Sequence, residues 1–172
     1  VLFGKEFSLN VLGLGNLLLV LGCVAIVFGG LAAIYQVHYK RLLAFSCLSN
    51  IGLIVLGVGL ASGAGLSAAI LHFVSHSVAI AGLFIIVSTG GTKGLGQSNP
   101  FYAALLVLFA LSTVGMPLTI GFLSKWQLLI AGIEGGWVAA FAVVAASILS
   151  ILYMLKLVHA AYYQKPDGAH IT

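Results

Sequence analysis

From Phe7 to Val37 the chain carries no formal charge, a run longer than the ~20 apolar residues that take a helix across a bilayer core about 30 Å thick. Runs on that scale recur to the end of the chain. The charges are Lys5, Lys40, Arg41, Lys93, Lys125, Lys156 and Lys165 against Glu6, Glu134 and Asp167, and most of them fall between apolar runs. Only 6% of the residues are charged and 62% are hydrophobic, with a mean hydropathy of +1.22, whereas a soluble domain is about 25% charged. So little polar surface does not cover a soluble globule, and the chain reads as a multi-pass integral membrane protein. The net charge of +4 forms no basic stripe with interleaved aromatics, so it says little about nucleic acid, and no nucleic-acid partner is expected. Cys23 and Cys47 sit inside apolar runs, as small hydrophobes do.

The charges and turn residues divide the sequence into spans. The first covers about 11–36 and ends at "HYKR", 38–41. "LLAFSCLSNIGLIVLGVGLAS" follows, and "GAG" at 63–65 turns the chain into a third span, about 66–88. "TGGTKGLGQSNP" combines glycine, lysine and proline as a surface connection does. Residues 101–133 would make a helix about 50 Å long, too long for one crossing. Pro117 lacks the backbone donor a helix needs and clashes with the preceding turn, and Gly115 and Gly121 flank it, so two elements are predicted, 101–115 and 118–132. A last span runs from Trp137 to Tyr163, Glu134 falls in the loop before it, and 164–172 is a polar tail. The predicted fold is an all-α polytopic bundle of about six transmembrane helices, one broken or short near Pro117, in a single membrane domain over 1–172. The opening "VLFGKEFSLN" lacks the pattern of a signal peptide, and the chain reads as a piece of a longer protein. The 22 glycines suit close helix packing, "GLASG" at 59–63 being one GxxxG among them. Lys40, Arg41 and Lys93 fall on one face of the membrane.

Lys125 is the most informative residue by position. It lies about seven residues from either end of its span, some 10 Å of rise, farther than a lysine stem of roughly 6 Å snorkels. A charge at that depth costs about 2.5–3.5 kcal/mol on insertion scales, so it points to a polar interior and an ion or proton route; a short or re-entrant helix is the alternative. The neighbouring break supplies loose carbonyls, a setting used for ions in transporters. In "ILHFVSHSVAIAGLF", 70–84, His72 and His76 lie on one helix face with Ser75 and Ser77 close by. Their spacing suggests zinc, but the glutamate of HExxH is missing and no third ligand is evident. Haem through His159 has nothing to fix the pairing. Neither a metal nor a cofactor is therefore assigned, and the pair reads as proton-transfer groups or as hydrogen-bonded structure. Ser46, Ser49 and Asn50 give the second helix a polar stripe, with Lys40 at the mouth of a hydrated path and Arg41 as a surface anchor. Lys156, nearer its helix end, reads as a snorkelling side chain, and Asn16 as a helix-packing polar group.

"YKRLLAFSCLSNIG", "ILHFVSHSVAIAGLF" and "GMPLTIGFLSKWQLLIAG", in that order and at these intervals, resemble the antiporter-like membrane subunits of respiratory complex I and of Mrp-type cation/proton antiporters, over residues 11–163. The resemblance implies two inverted five-helix repeats, each with a broken helix, and a midplane axis of lysines, histidines and a glutamate. This chain resembles the second repeat. It implies that Lys40 matches the lysine of a "KRLLAYSS"-like motif, His72 and His76 the paired histidines, and Lys125 the lysine or glutamate at the break. One position departs: many members have a lysine four residues after the second histidine, where this chain has Ile80. The glutamate and its lysine partner would belong to the first repeat.

The function implied is translocation of protons, or of a monovalent cation against protons, with Lys125 as a gated site and the histidines relaying to Lys40. Energy would come from a redox-driven complex of the NADH:quinone oxidoreductase kind or from a gradient, with no redox catalysis in this chain. Partners would be the lipid bilayer and other membrane subunits of such a complex, in a bacterial, archaeal or organellar energy-transducing membrane, with protons or sodium as cargo. The competing expectation is a structural subunit or degenerate fragment that packs beside a pump and carries nothing.

Overall fold

A computed structural model describes residues 13–89 and 92–165. The opening stretch with Lys5 and Glu6, the pair 90–91 and the tail from 166, including Asp167, lie outside them. The described residues form α1 (Leu14–Tyr35), α2 (Tyr39–Gly59), α3 (Gly63–Thr89), α4 (Leu95–Ser98), α5 (Pro100–Val114), α6 (Ile120–Gly135) and α7 (Trp137–Tyr163), with no strand among them. The protein is an all-α membrane bundle. α1, α2, α3 and α7 are each long and apolar enough to cross a membrane.

α5 and α6 divide a stretch that no single crossing accommodates. α5 starts at Asn99, whose side chain accepts from the Tyr102 amide at 3.4 Å, with Pro100 at the first helical position, where its missing N–H costs nothing. Its amino end follows α3 in sequence after ten residues that include α4, and Phe109, two-thirds along, packs on Gly82 of α3. α6 continues down the same neighbour: Ser124 meets His72, and Gly135 reaches Leu60 at the far end of α2. The two short helices therefore run antiparallel to α3 along its whole length. Their ends overlap sideways, because Gly121 of α6 lies against the Ser112 carbonyl of α5. In one continuous helix those residues would stand about 13 Å apart along the axis.

The exterior is apolar and the interior carries the polar groups. Leu17, Val20, Val24 and Phe28 on α1, Val74, Val78 and Ile85 on α3, and Phe141, Ile148 and Leu155 on α7 are exposed, while Ser46, Asn50, His72, His76, Ser124, Lys125 and Ser150 are buried. The first set suits an apolar surrounding, and the bundle must satisfy the second. Two apolar clusters flank the polar centre. One joins Leu42, Leu43, Leu83, Leu106, Tyr153 and Leu157, with Ile80 packed on it. The other joins Ile26, Leu53, Leu56, Leu128 and Val143.

Several local expectations change. Glu134 is in the last turn of α6, not in a loop, because nothing interrupts the helix before Gly136, whose φ of 138° ends it. Asn16 is exposed on α1 and packs into no helix interface among the described residues. Of the GxxxG pair, Gly59 packs against α1 whereas Gly63 meets nothing, so the two glycines do not act as one packing motif. Lys156 does not snorkel to water. Its Nζ donates to the carbonyls of Ile34 at 2.9 Å and Gln36 at 2.6 Å, satisfying the carboxyl end of α1, whose last carbonyls have no partner within the helix.

Candidate functional site

The break between α5 and α6 is built by a few residues. At Gly115 φ is 86°, a left-handed value that ends α5, and its N–H donates to Leu111 and Ser112 carbonyls. The Met116 N–H donates to the Leu111 carbonyl as well, at 3.0 Å, the pattern that closes a helix at a left-handed residue. Pro117 then prevents resumption. Leu118 also takes positive φ, 77°, before Thr119 starts α6 by accepting from the Phe122 amide at 3.3 Å. A Cβ at Gly115 would stand 3.0 Å from Lys125 Cδ, and one at Gly121 would collide with the Ser112 carbonyl. Both glycines thus give α6 its approach to α5.

That approach places Lys125, only 5% exposed, across the end of α5. Its Nζ donates to the Thr113 carbonyl at 2.9 Å, the Val114 carbonyl at 3.1 Å and Ser150 Oγ at 3.3 Å. The carbonyls are among those α5 cannot satisfy itself, and its dipole places partial negative charge there. Glu134, the one acidic residue among those described, sits at the far end of α6. Among the described residues, Lys125 is therefore held by dipoles and not by a carboxylate.

Two polar groups flank this ammonium, one bonded to it through Ser150 and one built on the neighbouring residue of α6. On one side the next residue back, Ser124, donates to the Gly121 carbonyl at 2.9 Å and stands 2.9 Å from His72 Nδ1 and 3.3 Å from Ser75 Oγ. The His72 and His76 rings stack with centroids 6.1 Å apart, and Lys125 is close enough to act electrostatically on both. His72 Nε2 and both ring nitrogens of His76 are buried without a protein partner among the described residues. On the other side Ser150, whose Oγ donates to the Ser147 carbonyl at 2.8 Å, lies three residues before Tyr153, on the same side of α7. Asn50 Nδ2 donates to the Tyr153 hydroxyl at 3.3 Å and to the Ser46 carbonyl at 2.9 Å.

Lys125, His72 and His76 come together; Lys40 does not join them. It is exposed at the start of α2, in the wall of a surface cavity of about 440 Å³. Val87 of the same wall is eleven residues beyond His76, about 16 Å of helix, and Ile80 and Leu83 fill the interval with apolar packing. The stripe on α2 divides as well: Ser49 donates to the Ile26 carbonyl of α1 at 3.0 Å, while Asn50 turns to α7. Ser77 donates to its own helix at Phe73. Tyr153, Ser150 and Ser124 escape a sequence reading centred on histidine and lysine. A signal for the first two exists in Ser147, Ser150 and Tyr153, which recur every third residue within an apolar run. Among the described residues no group of three or more histidines, cysteines or acids assembles as a metal site.

An apolar exterior around a polar centre, with a discontinuous helix whose loose carbonyls hold a buried lysine, defines a class of multi-pass membrane protein. Within that class the chain belongs to the family described as NADH:quinone oxidoreductase/Mrp antiporter, TM, whose model matches residues 8–151. It is 32% identical to NADH-quinone oxidoreductase subunit N of Halorhodospira halophila over 165 residues, 88% of this chain and 34% of that protein. A chain of the Mrp complex from Dietzia sp. superposes with a TM-score of 0.85 at 30% identity, covering 94% of this chain and 32% of the other. A chain of respiratory complex I from Thermus thermophilus with bound NADH gives 0.74 at 27%, covering 90% and 35%. The chain spans about a third of the length of these relatives.

Proposed function

We propose that this chain forms part of a proton, or monovalent cation/proton, translocating membrane subunit that works beside other membrane subunits of a redox-driven or gradient-driven complex. The observation that carries this reading is Lys125 itself, a buried amine on the carbonyls of Thr113 and Val114 with no carboxylate beside it among the described residues. Burial opposes the charge of this lysine while the carbonyls favour it, so movement of a neighbouring charge alters the cost of keeping the proton. His72 and His76 exchange protons with it, and their unpartnered nitrogens call for water, since a buried polar atom without a bond costs about 1–3 kcal/mol. Lys40 collects or releases protons at the surface.

Ile80 bears on the route between them. The histidine branch ends against apolar packing; on the other side Lys125 bonds Ser150, and Asn50 joins Tyr153 of α7 to the Ser46 carbonyl, six residues or about 9 Å of rise from Lys40 on α2, with Leu42 and Leu43 in the interval. The path to Lys40 runs along that second branch, with the histidines as a proton store on the other side.

The test is proton pumping by the intact protein in proteoliposomes with Lys125→Ala and His76→Ala. Lys125→Ala is expected to abolish pumping and His76→Ala to reduce it. Unchanged pumping in both would discard the reading and leave the structural-subunit alternative.

A further inference from the structure

A continuous α5 would bond the Thr113 carbonyl to the amide of residue 117 and the Val114 carbonyl to the amide of Leu118. Residue 117 is a proline without an N–H, and among the described residues the Leu118 bond does not form. The amides of Gly115 and Met116 are spent on the Leu111 and Ser112 carbonyls. Two oxygens at the end of α5 are thus left without a backbone donor. Ser150 Oγ joins them around one point, since the three stand 2.9, 3.1 and 3.3 Å from Lys125 Nζ. The Ser150 hydroxyl proton goes to the Ser147 carbonyl at 2.8 Å, so its lone pairs face the ammonium. Three neutral oxygens around a single positive charge, with no described carboxylate beside it, suit a bare monovalent cation as they suit an ammonium.

We infer that the Thr113 and Val114 carbonyls and Ser150 Oγ form an exchange site, which holds either the Lys125 ammonium or, in its place, a sodium or potassium ion. This rests on Lys125 as the translocating site proposed above. The exchange balances: Lys125 gives one proton to water and leaves the oxygens as a neutral amine, one cation enters, and the site carries a single positive charge throughout. Holding both charges at once is opposed by the low dielectric that makes even one costly. A divalent ion is disfavoured because it draws on carboxylates, and none is described here. Beside the stem lies a cavity of about 270 Å³, lined by Val114, Gly115, Lys125, Trp126, Leu129 and Ser147 among others. Its mostly apolar wall accepts an uncharged amine more readily than an ammonium. Gly115 keeps that edge open, since a Cβ there would stand 3.0 Å from Lys125 Cδ. The titratable groups that face this region are His72 and His76 of α3, which act on Lys125 electrostatically, and Tyr153 of α7, which is turned to Asn50. The carboxyl end of α5 presents none, nor does α2 where Gly57 and Leu60 meet α6.

Sodium binding to the intact protein in detergent tests the exchange, read by isothermal titration calorimetry in choline-based buffers at about pH 6 and about pH 9. Because the proton and the cation compete, the wild-type affinity for sodium should rise at least about tenfold between the two. Lys125→Met deletes the competing charge, so it should bind sodium more tightly than wild type at the lower pH and change less than about threefold at the higher. His72 and His76 are present in both proteins, so the difference between them reports Lys125. Ser150→Ala removes one oxygen and should weaken binding severalfold at the higher pH. Potassium that binds with the same pH response would support the site with the larger ion as occupant. A wild-type affinity that ignores pH, failure of Lys125→Met to bind either ion, or unchanged binding in Ser150→Ala would overturn it. If Lys125→Met does not fold, the wild-type pH response decides. Loss of pumping in Lys125→Ala together with a pH-independent sodium affinity would leave the translocation reading standing and overturn the exchange site alone.

Discussion

Lys125 Nζ lies 2.9 Å from the carbonyl oxygen of Thr113, so the ammonium of α6 closes the open end of α5 across the break that separates them. Two effects of similar size oppose each other when this side chain is removed. Lys125→Met leaves buried carbonyls without a donor, at about 1–3 kcal/mol each, and relieves a deeply placed charge worth about 2.5–3.5 kcal/mol. The melting temperature in detergent should therefore stay within roughly 4 °C of wild type, while proton flux in proteoliposomes is lost. A large fall in melting temperature would make Lys125 a structural clamp.

Lys156 makes the opposite case. It also caps a helix end, through the Ile34 and Gln36 carbonyls, but it is only partly buried and its removal relieves little. Charge-assisted bonds of this kind contribute about 1.5–3 kcal/mol. Lys156→Met should lower the melting temperature clearly and leave flux near wild type, a reversal of the Lys125 phenotype measurable in the same preparations.

Helix positions are legible in this sequence to a greater extent than side-chain partners. The spans were legible because charge and turn residues punctuate apolar runs at the bilayer period, and the break because Pro117 cannot continue a helix that Gly115 has just ended. The partners were not. Nothing in "GFLSKWQLLIAG" tells that Ser124 faces His72 while Lys125 turns to Ser150, since neighbouring residues on a helix point about 100° apart and the bundle decides which helix each meets. Lys156 looked like a surface cation because the open carbonyls of α1 are distant in sequence. The sideways overlap of α5 and α6 depends on Gly121 meeting Ser112, a tertiary contact that periodicity does not encode.

The second polar branch rests on Tyr153, which is 1% exposed and takes a hydrogen bond from Asn50. Tyr153→Phe keeps the ring in its apolar cluster and deletes the hydroxyl, at about 1 kcal/mol of stability. Flux should fall severalfold while the fold survives, and Asn50→Leu should do the same. If Tyr153→Phe pumps at the wild-type rate while His76→Ala does not, the histidine branch is the route to the surface.

Ile80→Lys separates the two branches from the other side. Position 80 is one turn beyond His76 on the same face of α3, so a lysine there would extend the polar row of His72 and His76 toward the end where Lys40 lies. Ile80 packs against the cluster of Leu42, Leu43, Leu83 and Tyr153, and a lysine placed there is opposed by the cost of a buried charge, about 2.5–3.5 kcal/mol on insertion scales. The variant should therefore melt at a lower temperature than wild type. On the proposed route, in which the Ser150, Tyr153 and Asn50 side leads from Lys125 toward Lys40, its flux should stay within about twofold of wild type. Combining Ile80→Lys with Tyr153→Phe sharpens the comparison: with the α7 branch cut, the new lysine should restore part of the flux that Tyr153→Phe loses. A severalfold gain in Ile80→Lys alone would instead show that the gap after His76 limits transport in this chain.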